Sequence, residues 1–65
     1  MPTIGIRGGR RVWQEGDGRK TRYYTWDSMH GELEVFNRLG WHLGAVDPVT
    51  GTFLKPPVES RRLEL

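Results

Sequence analysis

The chain has 65 residues, no cysteine and a formal net charge of +2. A domain this small buries only about 60% of the surface its unfolded form exposes, and without cysteine no disulfide or thiolate-zinc site can supplement its thin core. No apolar run approaches the roughly 18–20 residues that span a bilayer, and the opening Met-Pro-Thr-Ile-Gly-Ile-Arg-Gly-Gly carries no apolar signal-peptide region.

The basic residues are crowded towards the start. Arg7, Arg10, Arg11, Arg19, Lys20 and Arg22 are set against only Glu15 and Asp17, whereas acids outnumber bases from there on. A basic arm beside an acidic pocket suits a phosphate-rich partner, because phosphate neutralisation gives affinity without sequence specificity. The plainer reading is a charged surface that keeps a small domain soluble.

Residues 1–9 end in Gly8-Gly9 and read as a flexible lead-in, leaving residues 10–65 as the single domain. Arg10 to Gln14 predicts a short first strand anchored by Trp13. Glu15-Gly16-Asp17-Gly18 is turn chemistry. Thr21 to Asp27 is a β-rich run with three aromatics, and Ser28 to Gly31 a turn returning through a strand from Glu32 to Phe36. Trp41 to Val46 predicts another strand with Gly44 a candidate bulge. Asp47-Pro48-Val49-Thr50-Gly51 turns the chain into Thr52–Lys55. Pro56-Pro57 lack donors and stop the sheet, and residues 58–65 form a polar tail. The expected fold is all-β: a strongly twisted antiparallel sheet of four or more strands, with short hairpins and mobile termini.

The stretch from Tyr24 to Phe36 carries the chemistry. In an extended strand His30, Glu32, Glu34 and Phe36 share one parity, predicted to be the wet face, while Leu33 and Val35 point to the core. A helix would gather Asp27, His30 and Glu34 instead, but Gly31 and the β-branched and aromatic neighbours argue against it. A His among carboxylates moves protons near neutral pH. With a guanidinium added, the set suits RNA cleavage through the ribose 2′-hydroxyl, with Glu34 as base, His30 as acid and Asp27 orienting the imidazole. Each residue also has a bland reading: Asp27 as a turn cap, the alternating Glu as a solvated sheet face, His30 as an exposed turn residue. Asp27, His30 and Glu32 match no defined metal-ligand spacing, so no metal and no cofactor is expected. His42, between Trp41 and Leu43, reads as structural.

Trp26-Asp27-Ser28-Met29-His30-Gly31-Glu32-Leu33-Glu34 resembles the W-D-S-x-H-G-E-L-E signature of the cytotoxic ribonuclease domain of the ribosome-inactivating colicins and cloacin. His42-Leu43-Gly44-Ala45-Val46-Asp47-Pro48-Val49-Thr50-Gly51 is similar to that family's H-L-G-x-[FV]-D-P-x-T-G. Leu54-Lys55, Pro57 and Arg61 follow at its spacing, and Arg10, Arg11, Trp13 and Gly18-Arg19-Lys20 resemble its basic stretch. The likeness spans residues 10–63. Phe36 stands where the family has tyrosine, Pro56 and Val58 depart from its pattern before Arg61, and Arg62 is the alternative to Arg61.

The resemblance implies an endoribonuclease that cuts small-subunit (16S) ribosomal RNA once, in the decoding A site, and so stops translation. By position Asp27, His30, Glu34 and Arg61 match the catalytic residues, and Glu32 a supporting carboxylate. It also implies an acidic immunity protein as inhibitor and action in the cytoplasm of a target bacterium, either as the toxic end of a larger exported protein or as a free-standing relative; alone, the domain is expected to be a monomer. Arg10, Arg11, Arg19, Lys20, Arg22 and Lys55 are the expected RNA-backbone contacts, with Tyr24 and Phe36 as stacking candidates. His30→Ala and Glu34→Gln are expected to abolish cleavage without disturbing a fold whose solvent face they occupy. The rival readings are a catalytically silent RNA- or ribosome-binding module and a small protein-interaction domain with an acidic docking face.

Overall fold

The computed structural model describes residues 2–65. Six strands follow one another in a single antiparallel meander: β1 (Thr3–Arg7), β2 (Arg10–Glu15), β3 (Arg22–Asp27), β4 (Glu32–Phe36), β5 (His42–Val46) and β6 (Phe53–Lys55), each paired with its neighbours in sequence order. One 3-10 turn, Gly18–Lys20, links β2 to β3. The all-β expectation holds. The sheet is strongly coiled: the molecule extends 25 × 23 × 21 Å, and a flat six-stranded sheet would be only about 10 Å thick.

The start of the chain differs from its reading as a lead-in. Thr3–Arg7 is a strand, with Ile6 opposite Arg11 and Arg7 opposite Arg10. Gly8 (φ 59) and Gly9 (φ 80) are the two positive-φ positions of a tight hairpin turn whose twist suits antiparallel strands. A glycine pair read as a tether is here a corner. Met1 lies outside the described residues.

The strand parity divides the sheet as predicted, but both faces are covered. On one face Tyr24, Val35 and Val46 form the buried cluster, with Trp13, Leu33 and Leu43 packed against it. On the other, the register runs Val12–Thr25–Glu34–Ala45–Lys55 straight across five strands. Val12, Thr25 and Ala45 in that row are at most 1% exposed. The carboxylates of β4 therefore do not stand on a wet face. They rise from a sealed floor.

The cover over that floor is the tail. The Leu63 N–H donates to the Gly40 carbonyl (2.7 Å), the His42 N–H to the Arg61 carbonyl (3.1 Å), and Trp41 bridges Arg62. Gly40 permits this close approach, since a Cβ there would lie 2.5 Å from the Leu63 carbonyl oxygen. The C-terminus, expected to be mobile, is thus laid along the β4–β5 connection by backbone hydrogen bonds.

Candidate active site

Two hairpin tips share one design. Asp47 Oδ1 accepts the Val49 and Thr50 N–H groups, and Gly51 N–H donates to the Asp47 carbonyl. Asp27 repeats the pattern with Met29, His30 and Gly31, so its capping role is real. Asp27 differs in what its second oxygen does: Oδ2 lies 2.7 Å from His30 Nδ1. One oxygen builds the turn and the other bonds the imidazole. The His30 side-chain bond outweighs desolvation and, with help from the His30 and Met29 backbone N–H groups, holds the Asp27 carboxyl below its ordinary value. With Nδ1 engaged, Nε2 of the half-exposed ring (side chain 52% exposed) is left for proton exchange.

Glu34 is clamped. Arg61 Nη1 donates to Oε1 at 3.0 Å and His42 Nε2 lies 2.8 Å from Oε2, and the side chain is only 12% exposed. Burial pushes the Glu34 carboxyl up, but the His42 and Arg61 hydrogen bonds and the Arg61 charge outweigh it and hold the group below its ordinary value. Glu34 is therefore ionised at neutral pH. Arg61 reaches it across 27 positions of sequence because the tail is docked, and its guanidinium also sits 5.9 Å over the Phe36 ring. Arg62 is engaged elsewhere: Nε donates to the Leu39 carbonyl and the guanidinium lies over Trp41 at 5.1 Å. The choice between the two arginines falls to Arg61.

Asp27, His30, Glu34 and Arg61 line one open cleft of ≈ 620 Å³, with Arg10, Trp26, Ser28 and Met29. Arg10 and Arg61 are shared with an adjoining cavity of ≈ 370 Å³ to which Arg7 and Arg62 also contribute, so a basic track leads away from the carboxylates. Glu32, opposite Asp27 in register, is 9% exposed and has the Lys55 ammonium 2.8 Å from Oε1. That bond raises the lysine's pKa.

Other expected contacts lie apart. Arg19, Lys20 and Arg22 line a separate ≈ 550 Å³ cavity with Arg38, and Arg11 lies on the opposite strand parity from Arg10. The two stacking candidates need correction. Tyr24 is 8% exposed on the hydrophobic face, its hydroxyl donating to Glu15 Oε1 at 2.9 Å, and burial followed by Glu15 pushes its pKa up. Phe36 is 3% exposed, sealed between Arg61 and the edge of His42 (5.4 Å, 66°). Neither ring offers a free face to a base.

Arg7 and His42 were not expected at the site. Arg7 was hidden by reading β1 as a lead-in. The signal for His42 was its register: Phe36 faces His42 across β4 and β5, on the same parity as Glu34.

Among the described residues, Asp27, His30 and Glu32 each present a ligand atom within 4.8 Å of the others. The Asp27 and His30 atoms already bond each other, and the Lys55 ammonium already neutralises Glu32. A divalent ion would have to displace both arrangements.

The family model described as Cytotoxic matches residues 2–64. Cloacin and colicin E3, both of Escherichia coli, are each 47% identical over 58 residues, covering 88% of this chain and 10% of theirs. Colicin-E6 of the same organism is 44% identical over 64 residues, covering 97% of this chain and 11% of its own. The chain thus spans about a tenth of the length of these relatives. With the family match covering nearly all its residues, the chain belongs to the Cytotoxic family, the cytotoxic domain of the colicins and cloacin that its central hairpin resembles.

Proposed function

We propose that this domain is an endoribonuclease acting on small-subunit ribosomal RNA in the decoding A site. The observation that carries the reading is the convergence in one cleft of an ionised Glu34 bonded to Arg61 with the Asp27–His30 pair. Glu34 takes the proton from a ribose 2′-hydroxyl, whose oxygen attacks the adjacent phosphorus. The bond from phosphorus to the 5′-oxygen breaks as His30 delivers a proton to that oxygen, leaving a 2′,3′-cyclic phosphate and a free 5′-hydroxyl. Asp27 holds His30 through Nδ1 and leaves Nε2 for the proton transfer. Arg61 uses one Nη1–H on Glu34, and the rest of its donor fork is suited to the phosphate oxygens on which charge gathers. The nucleophile belongs to the substrate, so the mechanism requires no metal.

The basic track through Arg7, Arg10, Arg61 and Arg62 supports binding of a polyanion, either RNA or the surface of an acidic immunity protein that inhibits by occupying it. Since the relatives are roughly ten times longer, the domain is read as the toxic part of a larger exported protein acting in the cytoplasm of a target bacterium. The test is to incubate the purified chain with ribosomes in chelator-containing buffer. One discrete fragment released from the small-subunit RNA is the expected result. Tight binding with intact RNA would instead identify a silent ribosome-binding module.

A further inference from the structure

The His42 side chain, beside Glu34, is only 2% exposed, and both ring nitrogens are engaged. Nδ1 accepts the Val58 N–H at 2.9 Å. A ring nitrogen that accepts a backbone N–H carries no proton, so the proton resides on Nε2, which faces Glu34 Oε2 at 2.8 Å. The tautomer is set by the chain itself: the tail that delivers Arg61 to Oε1 also supplies, three residues earlier, the N–H that turns His42 into a donor towards Oε2.

We propose that His42 is a positioning residue for Glu34, a backbone-fixed neutral donor that pins one carboxylate oxygen while Arg61 pins the other. This rests on the reading of Glu34 as the base. A carboxylate on a two-carbon stem rotates freely unless both oxygens are held, and a base off its line of attack by about 1 Å loses roughly a hundredfold in rate. Arg61 alone cannot set the plane, because its guanidinium is 42% exposed and is also the phosphate ligand. His42 supplies a second point of attachment from the rigid sheet. Being uncharged, it holds Glu34 without neutralising it.

Two substitutions separate positioning from mere anchoring of the tail. His42→Gln can place an amide N–H near the original Nε2, keeping the donor to Glu34 while giving up the acceptor for Val58. His42→Asn can place its oxygen near the original Nδ1, keeping the Val58 bond while giving up the donor. If His42 positions Glu34, His42→Asn loses roughly tenfold or more in kcat with KM little changed, and His42→Gln stays within about threefold of the parent. If His42 only anchors the tail, the order reverses, and that result overturns the proposal.

A second readout is independent of cleavage. The Glu34 13Cδ titration is compared between parent and His42→Asn, the other charged or titratable groups around it being Arg61 from the tail, Lys55 from β6, and Arg10, Asp27 and His30 around the cleft. An upward shift in His42→Asn supports the clamp, and an unmoved midpoint overturns it. At neutral pH, 15N shifts of the parent should place the His42 proton on Nε2; the Nδ1 tautomer would overturn the proposal. Should the parent leave ribosomal RNA intact, the reading as a ribonuclease fails, while the titration and the tautomer still decide the clamp.

Discussion

Glu34→Gln tests the clamp through stability as well as activity. Glutamine has one acceptor and one donor where glutamate has two acceptors, yet both partners of Glu34 donate. One donor must therefore face another. His42, 2% exposed, cannot turn to water, whereas Arg61, 42% exposed, can. The amide oxygen should settle on His42 and its NH2 should expel Arg61 into solvent. The part-exposed ion pair contributes at most about 1 kcal/mol once solvent screening is allowed for, and exchanging a charged for a neutral acceptor at His42 costs about another 0.5–1 kcal/mol. A loss of roughly 1–2 kcal/mol lowers the melting temperature of a domain this small by about 5–15 °C. Glu34→Ala should be worse, because the buried Nε2–H then has no partner. A Glu34 side chain free on a solvent face would instead cost no stability in Glu34→Gln. Thermal and urea unfolding followed by circular dichroism decide it: a Glu34→Gln curve that overlays the parent would refute the two-donor clamp. Cleavage should be abolished in both variants.

Three other outcomes follow from the same contacts. Gly40→Ala puts a Cβ 2.5 Å from the Leu63 carbonyl at φ +91; the tail should lift, costing about 1–3 kcal/mol and at least tenfold in cleavage as Arg61 leaves Glu34, measured by melting and fragment release. Arg61→Ala should lose cleavage about a thousandfold if it stabilises the transition state, whereas Arg62→Ala, stacked on Trp41, should weaken RNA binding and its salt dependence while retaining most of the turnover; equal loss in both variants would reject the assignment to Arg61. Asp27, Glu34 and Asp47 all have carboxyl pKa values lowered by folding from ordinary values of 3.8, 4.5 and 3.8. The unfolded chain then binds more protons in acid, so stability is fully present above about pH 5 and falls as pH drops through the lowered values; a melting temperature that rises between pH 5 and 3 would contradict the sign.

Much of the fold was legible because its signals are local. The Asp-x-x-x-Gly turns at 27–31 and 47–51, strand parity in β4 and the stop at Pro56-Pro57 each depend on a few adjacent residues. The grouping of Asp27 with His30 was legible for the same reason, since one turn holds both. The two stacking candidates failed on burial. Alternation shows that Tyr24 and Phe36 take opposite faces, but it cannot show that a tail will roof one of those faces while an apolar cluster fills the other.

By itself, the sequence determined the antiparallel strands between Arg10 and Lys55, the hairpin that carries Asp27, His30 and Glu34, and the family. Tertiary structure alone decided that Gly8-Gly9 is a corner rather than a tether, that Arg61 and not Arg62 reaches Glu34, and that His42 completes the carboxylate's partners. These depend on contacts between residues far apart in the chain. A backbone hydrogen bond from the tail to Gly40 or His42 leaves no periodicity in the sequence, because its donor and acceptor are groups that nearly every residue carries.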